Sequence, residues 1–288
     1  MKNNGYDLIL NLIPVKAGDF TWQLSLNTSV TKNSMETKRE NLLSDFTSGS
    51  CIIKGRPFST FYSYVFTGLD KEYGQPLFKN ITQYGSGSSI AESVDNITDI
   101  MVESGKFTPD FSGGMNTMFK WRNISLYALF AVQWGGHNRL PDIFNMDNGQ
   151  YGYIRVEQNV STKLKNRWKH PGDVTDIPSI PGTGFEDAKL PVVLNENIKA
   201  STSNRYNLYN LSTARVANTD FIRCRSLSLN YDFAGKWMER MGISYLSLKA
   251  TVTNPFMWVS DKSWEGLDPE TGDWPTRRTT SLSIKLMF

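Results

Sequence analysis

The chain has 288 residues, with 31 Lys+Arg against 28 Asp+Glu for a formal net charge of +3, and 39% of it is hydrophobic. That is too apolar for a disordered chain, yet no run of about 18 consecutive apolar residues offers a transmembrane helix, and the balanced charge, with no Lys/Arg cluster, excludes a nucleic-acid partner. Cys51 and Cys224 cannot build a disulfide framework, and His137 and His170 stand without the Cys/His cluster of a zinc site, so neither metal nor cofactor is expected.

Ser, Thr and Asn supply 74 residues and aromatics 12%, a mixture suited to strands with one wet and one greasy face. In chain order, a weak alternating run covers residues 6–14. Phe20, Trp22, Leu24 and Leu26 then alternate with Thr21, Gln23, Ser25 and Asn27. A second weak run covers 111–121, and 124–134 alternates Ile124, Leu126, Ala128, Phe130, Val132 and Trp134 with their neighbours. Leu227, Leu229, Tyr231 and Phe233 share a face in 226–233, as do Leu246, Leu248, Ala250 and Val252, and finally Leu282, Ile284, Leu286 and Phe288. Each run is about ten residues, the length a tilted strand needs to cross a bilayer. Their polar partners are mostly Ser, Thr, Asn and Gln, which favours a barrel wall around water over a soluble sandwich, where Lys and Glu are commoner.

The joins alternate strictly between short (15–19, 122–123, 234–243) and long (33–110, 135–220, 259–277), as in an outer-membrane barrel with short periplasmic turns and long outer loops. The strand-like stretch 58–67 would break the alternation and is placed inside the first long join. Residues 89–101 carry Ile90, Val94, Ile97 and Met101 at helical spacing behind Ser88 or Ser89 as a cap, which predicts a small loop helix. Seven spanning strands remain. Bacterial single-chain barrels have even counts, and open strand edges are not tolerated in hydrocarbon, so the chain is expected to close a larger barrel whose N-terminal part lies outside it. Asp7 and Asn11 interrupt residues 8–13, so no secretory signal is read at Met1.

Several segments, weak singly, are specific in their order and spacing: FTWQLSLN at 20–27, FTGLD at 66–70 with GQP at 74–76, PDFSGGMNT at 109–117, RWKHPGDVTDIP at 167–178, DFIRCRSLSLNY at 220–231, DPET at 268–271 and the terminal Phe288. On these residues the chain resembles the C-terminal barrel region of a SusC/RagA-type TonB-dependent outer-membrane transporter, over nearly its whole length. The resemblance implies an all-β fold: about seven strands of an antiparallel transmembrane barrel of about 22 strands, with residues 1–288 forming part of that one domain and the plug domain and signal peptide absent from it. It implies a protein of the bacterial outer membrane, without catalytic chemistry or cofactor, that imports an oligosaccharide or peptide substrate. Its implied partners are a SusD-like surface lipoprotein over the mouth, the TonB complex acting through the missing N-terminal part, the barrel-assembly machinery and outer-membrane lipid.

Residue by residue, Phe288 resembles the C-terminal signal read by the assembly machinery. Trp22, Phe119, Trp121, Tyr231, Phe233 and Tyr245 lie near the short joins and would form an inner aromatic girdle. Arg167, Trp168 and Asp173, with Trp258 and Trp264 at the third long join, have the chemistry to meet a sugar or a lid, since Trp stacks on sugar faces; for 167–178 the competing reading is turn structure around Pro171-Gly172-Asp173. Arg223 and Arg225 share the outward face by continuity with Leu227, which is read as contact with headgroups; a bulge that switches the faces is the alternative. The carboxylates of 268–273 miss the spacing of a calcium loop and read as a turn. Two further readings stay open: a truncated non-transporting remnant or surface structural or adhesin fragment, and, behind it, a secreted glycan-cleaving β-sandwich.

Overall fold

Period-2 alternation folds into one antiparallel sheet. The computed structural model describes residues 1–83, 93–144, 146–147, 150–151, 160–181, 187–199 and 201–288. In it β1 (Lys2–Ala17), β2 (Phe20–Ser34), β3 (Phe111–Trp121), β4 (Ile124–Trp134), β5 (Phe221–Asp232), β6 (Tyr245–Val259) and β7 (Thr279–Met287) are hydrogen-bonded in that order. All seven runs are present and each strand pairs with its neighbour in sequence. The hairpins are tight where the sequence is short: Gly18 takes φ 53° between β1 and β2, and Arg122 takes φ 51° in the two-residue turn between β3 and β4. Pro14 lies three residues before the end of edge strand β1, a place where a missing N–H is tolerated.

Four strands run longer than their alternation: β1, which extends the 6–14 run at both ends, and three for identifiable reasons. β2 continues past Asn27 through polar residues on both faces, so the pattern fades while the pairing persists as far as Val30 opposite Phe111. β5 and β6 are interrupted by a bulge: Ser226 lies opposite Thr253 but Cys224 lies opposite Phe256, leaving Arg225 against Asn254 and Pro255. Asn254 has φ 50°, the left-handed conformation that Asn tolerates better than most residues. Beyond the bulge the period resumes with its parity changed.

Contacts divide the chain into two compact units. Asn3–Lys32, Pro109–Gly136 and Asn218–Phe288 form the sheet, its short joins and the third long connection. Asn33–Thr108 and His137–Ala217, with Met1–Lys2, form the other unit. This second unit has its own aromatic core, with Phe46, Tyr62, Tyr64, Phe144, Tyr206 and Tyr209 all buried. Edge-to-face contacts organise it, among them Phe144 on Tyr206 at 4.8 Å and Phe46 on Tyr62 at 5.4 Å. The 58–67 stretch belongs here: Thr60–Tyr64 pairs with Met101–Lys106, and Phe66–Leu69 with Pro76–Phe78, outside the seven-stranded sheet. Arg139 crosses the Phe61 ring at 4.7 Å and donates to the Tyr62 carbonyl at 2.7 Å, so its buried charge is held by π-face and backbone oxygen.

The helix expected over 89–101 is corrected. Ser88, Ser89 and Ile90 lie outside the described residues, but Ser93–Val94 pairs in parallel with Val192–Val193, Ile97–Asp99 is a single 3₁₀ turn, and Met101 opens a strand. The Asp99 carboxylate accepts the Asn96 N–H at 2.9 Å and closes that turn locally. Val94, Ile97, Thr98 and Ile100, all β-branched, favour extended backbone on either side.

Candidate functional site

The functional surface of the sheet is its two faces and the connection folded onto one end. On one face the register sets Trp22, Phe119, Leu126, Leu229, Ala250 and Leu282 in one row across six strands, β2 to β7. The row nearer the short joins sets Phe20, Trp121, Ile124, Tyr231, Leu248 and Ile284 side by side. Trp22 stacks on Phe119 at 5.6 Å and gives its indole N–H to Thr117 Oγ1; Tyr231 meets Phe233 edge to face at 4.8 Å. Leu227, Leu229, Tyr231, Leu282 and Ile284 are all exposed here, so the sheet presents a continuous apolar face to its surroundings.

At the opposite end of the same face lies a second aromatic row that the residue-by-residue reading did not assemble. Trp134 stacks on Trp258 at 6.2 Å, and Phe130 meets Phe256 at 6.3 Å. The signal was present in Phe130 and Trp134 at the far end of β4; their partners Phe256 and Trp258 were hidden behind the bulge. From Ile124 to Trp134 the strand climbs about 33 Å at roughly 3.3 Å per residue. At the roughly 40° tilt of barrel strands that projects to about 25 Å, the height of the apolar band between two girdles.

The other face is polar. Thr21, Lys120, Ser125, Asn230, Lys249 and Ser283 form one row, and Gln23, Met118, Tyr127, Ser228, Thr251 and Ser281 the next. Ser228 and Thr251 share a hydroxyl hydrogen bond at 2.9 Å, and Lys249 sits over the Tyr127 ring at 5.9 Å. Tyr245 belongs to this face, which corrects its place in the girdle. It sits in the register step beside Leu246, so alternation turns it to the polar side, where its hydroxyl donates to Asp232 Oδ1 at 2.8 Å and Lys285 covers its ring.

The bulge decides Arg223 and Arg225, and headgroup contact is corrected for Arg223. Because parity switches, Arg223 lies opposite Ala131 and Met257, 4% exposed, with its guanidinium 4.9 Å from the Phe221 ring centroid. One of its terminal nitrogens donates to both oxygens of Asp268, at 2.6 and 2.7 Å. Arg225, the bulged residue, is exposed and shares Glu270 with Arg223, at 3.5 and 3.1 Å. The 268–273 segment is a turn, as the sequence reads it: Asp268 N–H donates to the Asp273 carbonyl and Gly272 N–H to that of Asp268. Its first carboxylate, however, ties the third long connection to the sheet. Trp264, 1% exposed, adds a second tie through its indole N–H to the Asn218 carbonyl at 2.7 Å.

The other loop residues fall in the second unit. Trp168 is buried against Gly74: a Cβ there would stand 2.3 Å from the indole, and Gly74 has φ 67°. Gly74→Ala is therefore expected to destabilise this unit by about 1–3 kcal/mol, from overpacking together with left-handed strain. Thermal or urea unfolding followed by Trp fluorescence checks it; an unchanged midpoint would mean that the indole is free to move aside. Arg167 donates to the Leu164 carbonyl at 3.0 Å and is half-buried. Asp173 accepts the His170 and Lys169 N–H groups at 3.0 and 2.8 Å, the turn chemistry of a Pro-Gly-Asp segment.

Those two N–H groups hold the Asp173 carboxyl below its ordinary value, as the Leu42 N–H, then Ser50 and Arg39, hold Asp45. A carboxylate with a lowered pKa in the folded state adds stability that is complete above its unfolded value, near 4, and is lost as pH falls through the folded one. Amide protection of residues 42–51 and 169–173 is expected to be flat from about pH 5 to 8 and to fall below about pH 4. Hydrogen exchange across that range reads it, and equal protection at pH 3 and 6 would refute it. Cys51 and Cys224 are both free and buried, and burial pushes the Cys51 thiol up to about 11, so it is inert at neutral pH. Among the described residues no three His, Cys, Asp or Glu side chains gather to hold a metal ion.

A sheet of seven meandering strands, apolar between two aromatic rows on one face and lined by Ser, Thr and Asn on the other, is a section of transmembrane β-barrel wall. No protein-family model matches the chain. In sequence it is similar to TonB-dependent receptors: to receptors P3 and P39 of Formosa agariphila, at 20% identity over all of the chain and 22% over 95% of it, and to SusC of Bacteroides thetaiotaomicron, at 22% over all of it. In structure it is similar to the RagAB peptide importer in its open-open state, with a TM-score of 0.66 over 99% of the chain at 20% identity, and to the same importer in its closed-closed state, also at 0.66. The fold is that of a portion of these barrels, for the chain spans 26–29% of the length of the relatives and 28–29% of the solved chains.

Proposed function

We propose that this chain is the closing section of wall and mouth of a SusC/RagA-type TonB-dependent importer in the bacterial outer membrane, carrying a glycan or peptide substrate. The observation that carries this reading is the sheet itself, whose apolar face spans a bilayer-sized interval between two aromatic rows while its other face is that of a water-filled passage. Strands outside this chain pair with the open edges of β1 and β7 and close the barrel around a plug. The long connections form the mouth under a SusD-like lipoprotein, with Arg167 among the groups that meet substrate or lid. TonB acts through the plug, and the assembly machinery reads Phe288, exposed after β7 on the end that carries Leu286. The relatives named as TonB-dependent receptors and the peptide importer that shares the fold support this assignment.

The test is fractionation of cells expressing the full-length protein. The chain should appear in the outer-membrane fraction, require detergent for extraction, and migrate faster on gels before boiling than after, as closed barrels do. A cooperative, detergent-free soluble monomer would overturn the reading.

A further inference from the structure

Between the third long connection and the ends of β5 and β6 lies a cleft of about 690 Å³, within the usual range of small-ligand sites. Its floor is Arg223 with Met257 and Val259; Pro255, Leu267 and Pro275 add apolar wall. Lys262, Arg277 and Arg278 stand on its rim, all exposed and without an ion pair among the described residues. The acids nearby do not balance them. Asp268 is bound to Arg223, and the rim carboxylates are Glu265 and Asp261, which keeps its charge while accepting the Ser263 and Asn218 N–H groups at 2.9 and 3.2 Å, so two acids face three cations. The floor is also unfinished: Arg223, with a side chain 5% exposed, keeps its Nε–H buried with no acceptor among the described residues. A buried donor without an acceptor costs about 1–3 kcal/mol, so an acceptor arriving from a ligand is favoured.

We propose that this cleft binds the carboxylate of a small oligomeric solute. The carboxylate lies between Arg277 and Arg278, reaching toward Arg223 Nε, and the apolar wall takes the adjoining part of the molecule. Two cations on adjacent residues suit a planar two-oxygen anion better than a neutral hydroxyl pair. The same group ends a peptide and decorates an acidic sugar, and both sources share this chemistry. The proposal rests on the importer reading and names the charge of what is imported.

The full-length protein, purified in detergent from the outer membrane, is titrated by calorimetry with tetraalanine carrying a free or an amidated C-terminus, and with trigalacturonate or galactotriose. At least one carboxylate probe should bind about tenfold tighter than its neutral counterpart, the size of one charge-assisted hydrogen bond. In the double variant Arg277→Gln, Arg278→Gln that preference should vanish. A preference for the peptide pair alone or the sugar pair alone identifies the source and supports the proposal either way. Equal binding within both pairs, no binding of either acid, or a preference that survives in the double variant overturns it. Failure of the importer reading shows separately, as a protein absent from the outer-membrane fraction before any titration.

Discussion

Asp268→Ala should loosen the third long connection by about 3–5 kcal/mol, the cost of removing one partner from a buried ion pair. Arg223 is 4% exposed, and Asp268, at 1%, supplies both carboxylate oxygens to a single guanidinium nitrogen. With Asp268 gone, the charge keeps the Phe221 ring and, as its carboxylate among the described residues, Glu270 at 3.1 Å, whose side chain is 41% exposed and therefore screened. Glu270→Ala should accordingly change stability by about 1 kcal/mol or less. The pair Arg223→Met, Asp268→Leu should regain most of what Asp268→Ala loses, because apolar groups of similar volume need no partner. Hydrogen exchange of residues 260–278 in the detergent-solubilised protein reads all three, with trypsin cleavage after Arg277 or Arg278 as a second probe. Equal protection in Asp268→Ala and the parent protein would mean that the connection is held without the ion pair, by the bonds of Trp264, Asp261 and Ser260 to Asn218.

How much of this was legible in the sequence depends on the range of the interactions. Alternation is local, so all seven strands could be read, and the joins between them gave their order. A bulge is also local but hard to read: two Arg on the outward face raise it as an alternative, and only the pairing of the Arg225 step against Asn254 and Pro255 decides it. The headgroup reading of Arg223 failed for that reason, and so did recognition of the outer aromatic row, since Phe256 and Trp258 lie beyond the same break. Tyr245 was the opposite case. Its parity against Leu246 is visible in the sequence and puts it on the polar face, although it lies near a short join. Asp268 and Arg223 are 45 residues apart, a distance at which no sequence period links them. The second unit was the least legible part, because its short strands pair across long loops and its core is assembled from single aromatics, Phe46, Phe144 and Tyr206 among them, in no repeating pattern.

The faces of the sheet supply the sharpest contrast. Leu227 lies in the middle row of the apolar face, between Ala128 and Val252, about equally far from the two aromatic rows, and it is exposed. In a bilayer that position meets acyl chains, and Leu227→Arg should cost about 2–4 kcal/mol of barrel stability, the depth-dependent penalty at a midplane. Ser281→Arg, in the next register step but on the polar face, should cost about 0–1 kcal/mol, because it meets water. The fraction of full-length protein that folds, read as the fast-migrating unboiled band or as a urea midpoint in lipid vesicles, measures both. A soluble sandwich predicts the reverse: a charge on an exposed Leu would be harmless there or would improve solubility. Position along the strand extends the argument. A charge at Trp121 or Trp258, each in an aromatic row and about half exposed, should be tolerated far better than one at Leu227, since the penalty falls toward about zero at the interfaces. Equal losses at the midplane and at both rows would show that the face packs against protein rather than lipid.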